Sequence, residues 1–202
     1  MSIPSKPTVA HPGPVAQDDD PDKANYVSRA VWNAERPRAL VICCSDGRLQ
    51  ESTDEFLENH LGIVDYDRLY APGGPGALSN VACEFIRASQ YRNELQFLLR
   101  AHDFNQIIMI FHGAGADGPA HSACAHYLRL HPSYSTDQFN KRHVADMADV
   151  DRYIRDIAPT MRISVFRAEV RADRRVRFVD LSPAPPAESA DATPAPMLET
   201  LP

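Results

Sequence analysis

Cys43-Cys44-Ser45-Asp46-Gly47-Arg48 closes an apolar run. Two thiols, a carboxylate and a guanidinium this close together could be a nucleophile, a metal clamp, half of a disulfide or only a turn. Partners elsewhere in the chain decide. A second apolar run, QIIMIFH at 106–112, ends in His112, and Cys124 stands beyond a glycine-rich stretch. Two thiolates and an imidazole are donors that zinc accepts in tetrahedral sites, with a fourth position open where the site is catalytic. Cys44, His112 and Cys124 are therefore the candidate ligands for Zn2+, with water or Asp46 in the fourth position. Cys43 and Cys44 are neighbours on an expected strand and point to opposite faces. Only one of them faces the site, and Cys43 is assigned to the core.

Other uses of these residues fit less well. A phosphatase-type loop needs an arginine six positions after its cysteine, but Leu49 and Gln50 occupy those positions after Cys43 and Cys44. A phosphate-binding loop needs G-x-x-x-x-G-K-[ST], and no such lysine follows Gly73, Gly74 and Gly76. A cysteine hydrolase with Cys44 as nucleophile and His112 as base leaves Cys124 and Asp46 without a role.

The elements that must position these groups read as alternating strands and helices. RALVICCS (38–45) is apolar along its length, as for a strand covered on both faces. A polar, partly helical connector follows over 49–62, then a short strand over 67–73 ending in glycines. Ser79 caps an expected helix over about 80–101, with Val81, Phe85, Leu95, Leu98 and Leu99 as apolar positions and Cys83 in the core. After the strand at 106–112, helices are expected over about 121–130 and 140–157. RISVFRAEV and RRVRFVDL form a hairpin at the sheet edge, with a turn near Ala172-Asp173. This order specifies an α/β domain, a mainly parallel β-sheet flanked by helices with a C-terminal edge hairpin. In such sheets functional groups gather outside the carboxyl ends of the strands, where Cys44, Pro72-Gly73-Gly74 and His112 all fall.

With 202 residues and 44% hydrophobic content, the chain can bury a core in one domain. Residues 1–24 are expected as a disordered arm, 25–181 as the domain and 182–202 as a disordered Pro/Ala-rich tail. The net charge of −6 argues against a nucleic-acid or anionic-membrane surface. No apolar stretch is long enough to span a membrane. The N-terminus lacks an apolar signal-peptide core, which reads as cytoplasmic. There, the four cysteines point to metal, catalysis or packing rather than disulfides. His60, His102, His126, His131 and His143 are assigned to the solvated surface.

CSDGR at 44–48 resembles the C-x-D-x-R motif of β-class carbonic anhydrases. APGG at 71–74 is similar to the glycine-bearing segment after that family's second strand, and the resemblance covers most of 38–130. It implies zinc on Cys44, a dyad of Asp46 and Arg48, and a closed form in which Asp46 swings onto the metal. It also implies reversible hydration of CO2 to bicarbonate by a zinc-bound hydroxide, and a homodimer or higher oligomer. Residues 26–32 (YVSRAVW) are apolar enough for an arm helix, packed on a neighbour or on their own domain. Backbone N–H groups at Gly73 and Gly74 are expected to approach a bicarbonate oxygen, which glycine permits.

The sequence departs from the family at the third ligand. The family's strand is followed by H-x-x-C, whereas Gly113, Ala114 and Gly115 follow His112. Either Cys124 joins His112, or His121-Ser122-Ala123-Cys124 supplies a displaced H-x-x-C with His121 as substitute ligand. HGAGADGPAHSAC is similar to the loop in zinc-binding subunits of bacterial inorganic-carbon transporters, where His and the second Cys lie far apart. His112 is preferred for its place at the strand end. Two alternatives to the hydratase stay open. One is a non-catalytic zinc-binding relative acting as a partner or regulatory subunit. The other is a hydrolase of a CO2-like molecule such as carbonyl sulfide or carbon disulfide.

Overall fold

The structure is a computed structural model and describes residues 28–80 and 84–182. The expected arm (1–24) and the tail beyond Ser182 lie outside the described residues. So do Tyr26, Val27, Val81 and Cys83. Residues 28–34 fall in a unit separate from the one beginning at Glu35 and contain bends but no helix. The arm helix expected over 26–32 is therefore not formed across its described part. Ser28 Oγ instead donates to the carbonyl of Ala30, a local bond that competes with helical pairing.

From Glu35 onward the elements are β1 (Ala39–Cys44), α1 (Gln50–Asn59), β2 (Asp67–Ala71), a 3₁₀ helix (Gly74–Leu78), α2 (Phe85–Ala101) and β3 (Gln106–His112). Then come α3 (Pro119–Ser122), α4 (Ala125–Leu130), α5 (Thr136–Ile157), β4 (Arg162–Val170) and β5 (Val176–Asp180). The sheet order is β2-β1-β3-β4-β5. β2, β1, β3 and β4 run parallel, and β5 returns antiparallel on β4 as the edge of the expected hairpin. This is the α/β fold expected from the sequence.

Strand alternation explains the two cores. Ala39, Val41 and Cys43 of β1 join Ile108 and Ile110 of β3 on the face that meets Leu57 of α1 and Tyr127 of α4. Leu40 and Ile42 join Ile107, Met109, Phe111 and Val165 on the opposite face, against Leu95 of α2 and Val150 and Ile154 of α5. Helices cover both faces, so β1 and β3 are apolar along almost their whole length.

Several boundaries differ from the sequence expectation. Ser79 closes the 3₁₀ helix and does not start α2, which begins at Phe85. Gly73-Gly74-Pro75 favours a tight turn there. Phe85, expected in the core, is exposed. The single helix expected over 121–130 is two short ones, because Ala123 and Cys124 both adopt extended backbone. α5 starts at Thr136 rather than 140. The Ser135 hydroxyl accepts from the Gln138 N–H while the Gln138 side chain accepts from the Ser135 N–H, a reciprocal cap that fixes the first turn. No described helix is long and apolar enough to cross a membrane.

Ser135→Ala removes half of that cap. It should lower stability by about 1 kcal/mol in chemical denaturation, with little change in the slope against denaturant.

Candidate metal centre

The strand order places the site. In the order β2-β1-β3-β4 the connection leaving β1 runs to one side and that leaving β3 to the other, so a crevice opens at the carboxyl ends of β1 and β3. Pairing of Cys43 with Ile110 holds those ends side by side. Cys44 is the last residue of β1 and His112 the last of β3, and both are buried.

Cys124 reaches the crevice through the long connection after β3. Gly113 and Ala116 donate to the carbonyls of Ala168 and Val170, so the loop follows the end of β4. The Ser122 hydroxyl then accepts from the Gly115 N–H at 2.6 Å and donates to Asp117 at 2.7 Å, folding the loop back. The extended turn at Ala123-Cys124 leaves Cys124 as the residue that begins α4, buried and facing Cys44.

The donor atoms of Cys44, His112 and Cys124 all lie within 4.8 Å of one another, and among the described residues they form the group able to hold a metal ion. The sulfurs of Cys44 and Cys124 are 3.5 Å apart. Two sulfurs on one tetrahedral zinc at ~2.3 Å each would sit about 3.8 Å apart. The Nδ1 of His112 is buried without a hydrogen-bond partner, and such a group ordinarily has one. Spacing, donor chemistry and the unpartnered nitrogen all fit a zinc ion. His121 is exposed and outside the group, although its backbone carbonyl accepts from Arg48 at 3.2 Å.

Without a metal the two sulfurs share a proton. Cys124 is drawn down to about 7 by its hydrogen bond with Cys44 and by the N–H groups of Tyr127, His126 and Gly73, against the effect of burial. Cys44 is pushed up to about 12 by the same sulfur–sulfur bond and by burial. A divalent cation in that place would hold both sulfurs as thiolates. Cys43 lies on the α1 side, and burial, followed by the charge of Cys44, pushes it up to about 12. It behaves as the core thiol expected of it.

Asp46 and Arg48 stand at the rim. Arg48 Nε donates to Asp46 Oδ1 at 2.9 Å and its Nη2 donates to Oδ2 at 2.5 Å, while the Arg48 backbone N–H adds a bond of 3.1 Å to Oδ1. These bonds hold the Asp46 carboxyl down at about 2, so it is ionised at neutral pH. Its Oδ2 is 3.8 Å from His112 Nδ1, yet Asp46 is not among the three clustered donors.

Gly73 and Gly74 pack under the site for reasons of space. Both have positive φ, and a Cβ on Gly74 would come within 2.8 Å of the Cys44 nitrogen. A Cβ on Gly73 would come within 2.6 Å of the His126 ring. The sequence reading missed that ring, because it assigned His126 to the surface. It is buried instead, and burial, followed by the charge of Arg87, depresses its pKa to about 4. Arg87 Nη1 lies 3.0 and 3.1 Å from its two ring nitrogens, and Arg87 also donates to the Pro72 carbonyl. Glu84 pairs with Arg87 at 3.2 Å and with Arg129. This brace ties α2, α4 and the Pro72-Gly73 turn together. The one local sign of it in the sequence is the i,i+3 spacing of Glu84 and Arg87. His143 is also buried rather than solvated, against Phe111 and Tyr127, with neither ring nitrogen bonded.

In structure the chain resembles β-carbonic anhydrase isoform I of the protozoan Trichomonas vaginalis. The identity is 15% over 76% of this chain and 88% of that one, with a TM-score of 0.37. It also resembles a mutant of the β-carbonic anhydrase CafD of the filamentous fungus Aspergillus fumigatus. There the identity is 14% over 73% and 90% of the two chains, with a TM-score of 0.40. No protein-family model matches the chain, and no curated protein does. The candidate metal centre rests on the geometry of Cys44, His112 and Cys124.

Elemental analysis of the purified protein should find about one zinc per chain, as a set of two sulfurs and one imidazole implies. Cys44→Ser, His112→Ala and Cys124→Ser should each lose the metal, and His121→Ala should keep it. Full zinc retention in Cys124→Ser would remove Cys124 from the ligand set.

Proposed function

We propose that the protein is a zinc enzyme that reversibly hydrates CO2 to bicarbonate. The observation that carries the reading is the buried Cys44–His112–Cys124 group, with an ionised carboxylate held by an arginine beside it. Cys44, His112 and Cys124 would hold the ion. When bound, zinc supplies Lewis acidity that brings the pKa of water from 15.7 to about 7.

The chain's own residues account for the rest. Asp46 is held as a carboxylate, so near neutral pH it accepts hydrogen bonds and donates none. Its Oδ2, on the His112 side, is placed to accept the hydrogen of the attacking oxygen and to turn a lone pair toward the carbon of CO2. Arg48 occupies both Asp46 oxygens. It keeps the carboxylate from taking up that proton and from rotating out of line. The Gly73-Gly74 turn brings main chain close to the site, and we assign it the contact with a bicarbonate oxygen. The Arg87–His126 brace then acts through that turn, as a support for Gly73.

A nucleophilic role for Cys44 is less well supported. It would leave the Cys124 sulfur, 3.5 Å from that of Cys44, and the Asp46–Arg48 pair without a role.

Stopped-flow CO2 hydration with a pH indicator tests the proposal. The zinc-loaded protein should turn over, and Asp46→Ala should lower kcat/KM by about 10²-fold or more while retaining its zinc. Arg48→Ala should lower it about 10- to 100-fold by freeing the carboxylate. A fully metallated wild-type protein with no CO2 hydration would overturn the hydratase and favour a non-catalytic zinc-binding role.

A further inference from the structure

Beside the metal centre, on the α1 face of β1, lies a cavity of about 20 Å3. Cys43, Thr53 and Tyr70 line it, together with the loop that carries Asp46. Thr53 is fully buried on α1, and its Oγ1 has no hydrogen-bond partner. The hydroxyl of Tyr70, on β2, is likewise buried without a partner. Their neighbours do not satisfy them. Cys43, beside Thr53, offers at most a weak hydrogen-bonding sulfur. Tyr66 gives its own proton to Asp54 and accepts from Arg68 at 3.0 Å. Two unpartnered hydroxyls facing one small space are unusual in a folded interior, where such groups are bonded to protein or to water.

The dimensions select the ligand. Holding one water takes about 10–15 Å3 and two or more polar partners, so a cavity of about 20 Å3 admits one and nothing much larger. No lysine, arginine or histidine lines it, so an anion would meet no positive charge. We propose that the cavity is a binding site for a single ordered water molecule, which bridges Thr53 Oγ1 on α1 to Tyr70 Oη on β2. The bridge ties the two elements together behind the loop from Ser45 to Leu49. That loop is also held by the Ser45 N–H on the Ala71 carbonyl at 3.1 Å, by its own turn, the Leu49 N–H on the Asp46 carbonyl at 3.0 Å, and by Arg48 on the His121 carbonyl at 3.2 Å. The cavity also borders Cys44 of the candidate metal group, but the bridge uses only Thr53 and Tyr70 and does not depend on the proposed reaction.

A crystal structure of the purified protein at a resolution that shows waters tests this directly. The expected result is one ordered peak within hydrogen-bond distance, about 2.7–3.2 Å, of both hydroxyl oxygens. An empty cavity, or a water bonded to only one of the two, would overturn the proposal. Thr53→Val keeps the shape of the side chain and removes the hydroxyl. If the water bridge exists, the variant should melt about 2–4 °C lower, as loss of one buried hydrogen bond implies. If Thr53 is an unsatisfied hydroxyl facing a dry void, its removal should leave the melting temperature unchanged or raise it, and that result would also overturn the proposal.

Discussion

Two sulfurs 3.5 Å apart and a buried imidazole nitrogen without a partner form a set that the protein alone does not satisfy. Burying polar groups costs free energy unless each finds a partner. Here the sulfurs divide one proton between them, one thiol pushed up and the other drawn down. A divalent ion with a preference for sulfur and imidazole would replace that proton and meet the free nitrogen as well. The surroundings are consistent with this demand. Backbone N–H groups of Tyr127, His126 and Gly73 also draw the Cys124 thiol down.

The scaffold that meets this demand is built from main-chain pairing and close packing. Parallel pairing of β1 with β3 fixes the distance between Cys44 and His112, and the glycine turn after β2 fits beneath them because no Cβ intervenes. The chain returns to the crevice at Cys124 through Ser122, whose hydroxyl joins both ends of the loop. A brace of Glu84, Arg87 and His126 holds the Pro72-Gly73 turn from outside. On the other side of β1, the small cavity at Thr53 and Tyr70 lies behind the loop carrying Asp46. The candidate metal group is thus backed by polar contacts from several elements.

Charge is arranged as carefully as space. Asp46 is kept ionised by a two-pronged bond to Arg48, while His126, at the turn, is kept neutral by burial and by a neighbouring guanidinium. Two titratable groups within one small region are therefore both pushed down in pKa, with opposite consequences for their charge. The carboxylate is charged because a cation is bonded to it. The imidazole is uncharged because a cation sits against it in a buried place.

The amino-acid order by itself determined the α/β class, the apolar strands β1 and β3, the edge hairpin and the candidate donors Cys44, His112 and Cys124. These follow from local pattern: unbroken apolar runs for strands covered on both faces, and residue chemistry at the ends of those runs. Helix boundaries were less legible. The break at Ala123-Cys124 that turns the second thiol toward the first has no local signature, and the Gly73-Gly74-Pro75 signal for a tight turn does not by itself say where α2 begins. The burial of His126 and His143 was misjudged, because a histidine's surroundings are set by what packs against it and not by its neighbours in sequence. Only the tertiary structure decided the strand order β2-β1-β3-β4-β5, the choice of His112 over His121 in the donor group, and the empty space between Thr53 and Tyr70. Each depends on distances between segments far apart in the chain, which pairing and packing set and local propensity does not encode.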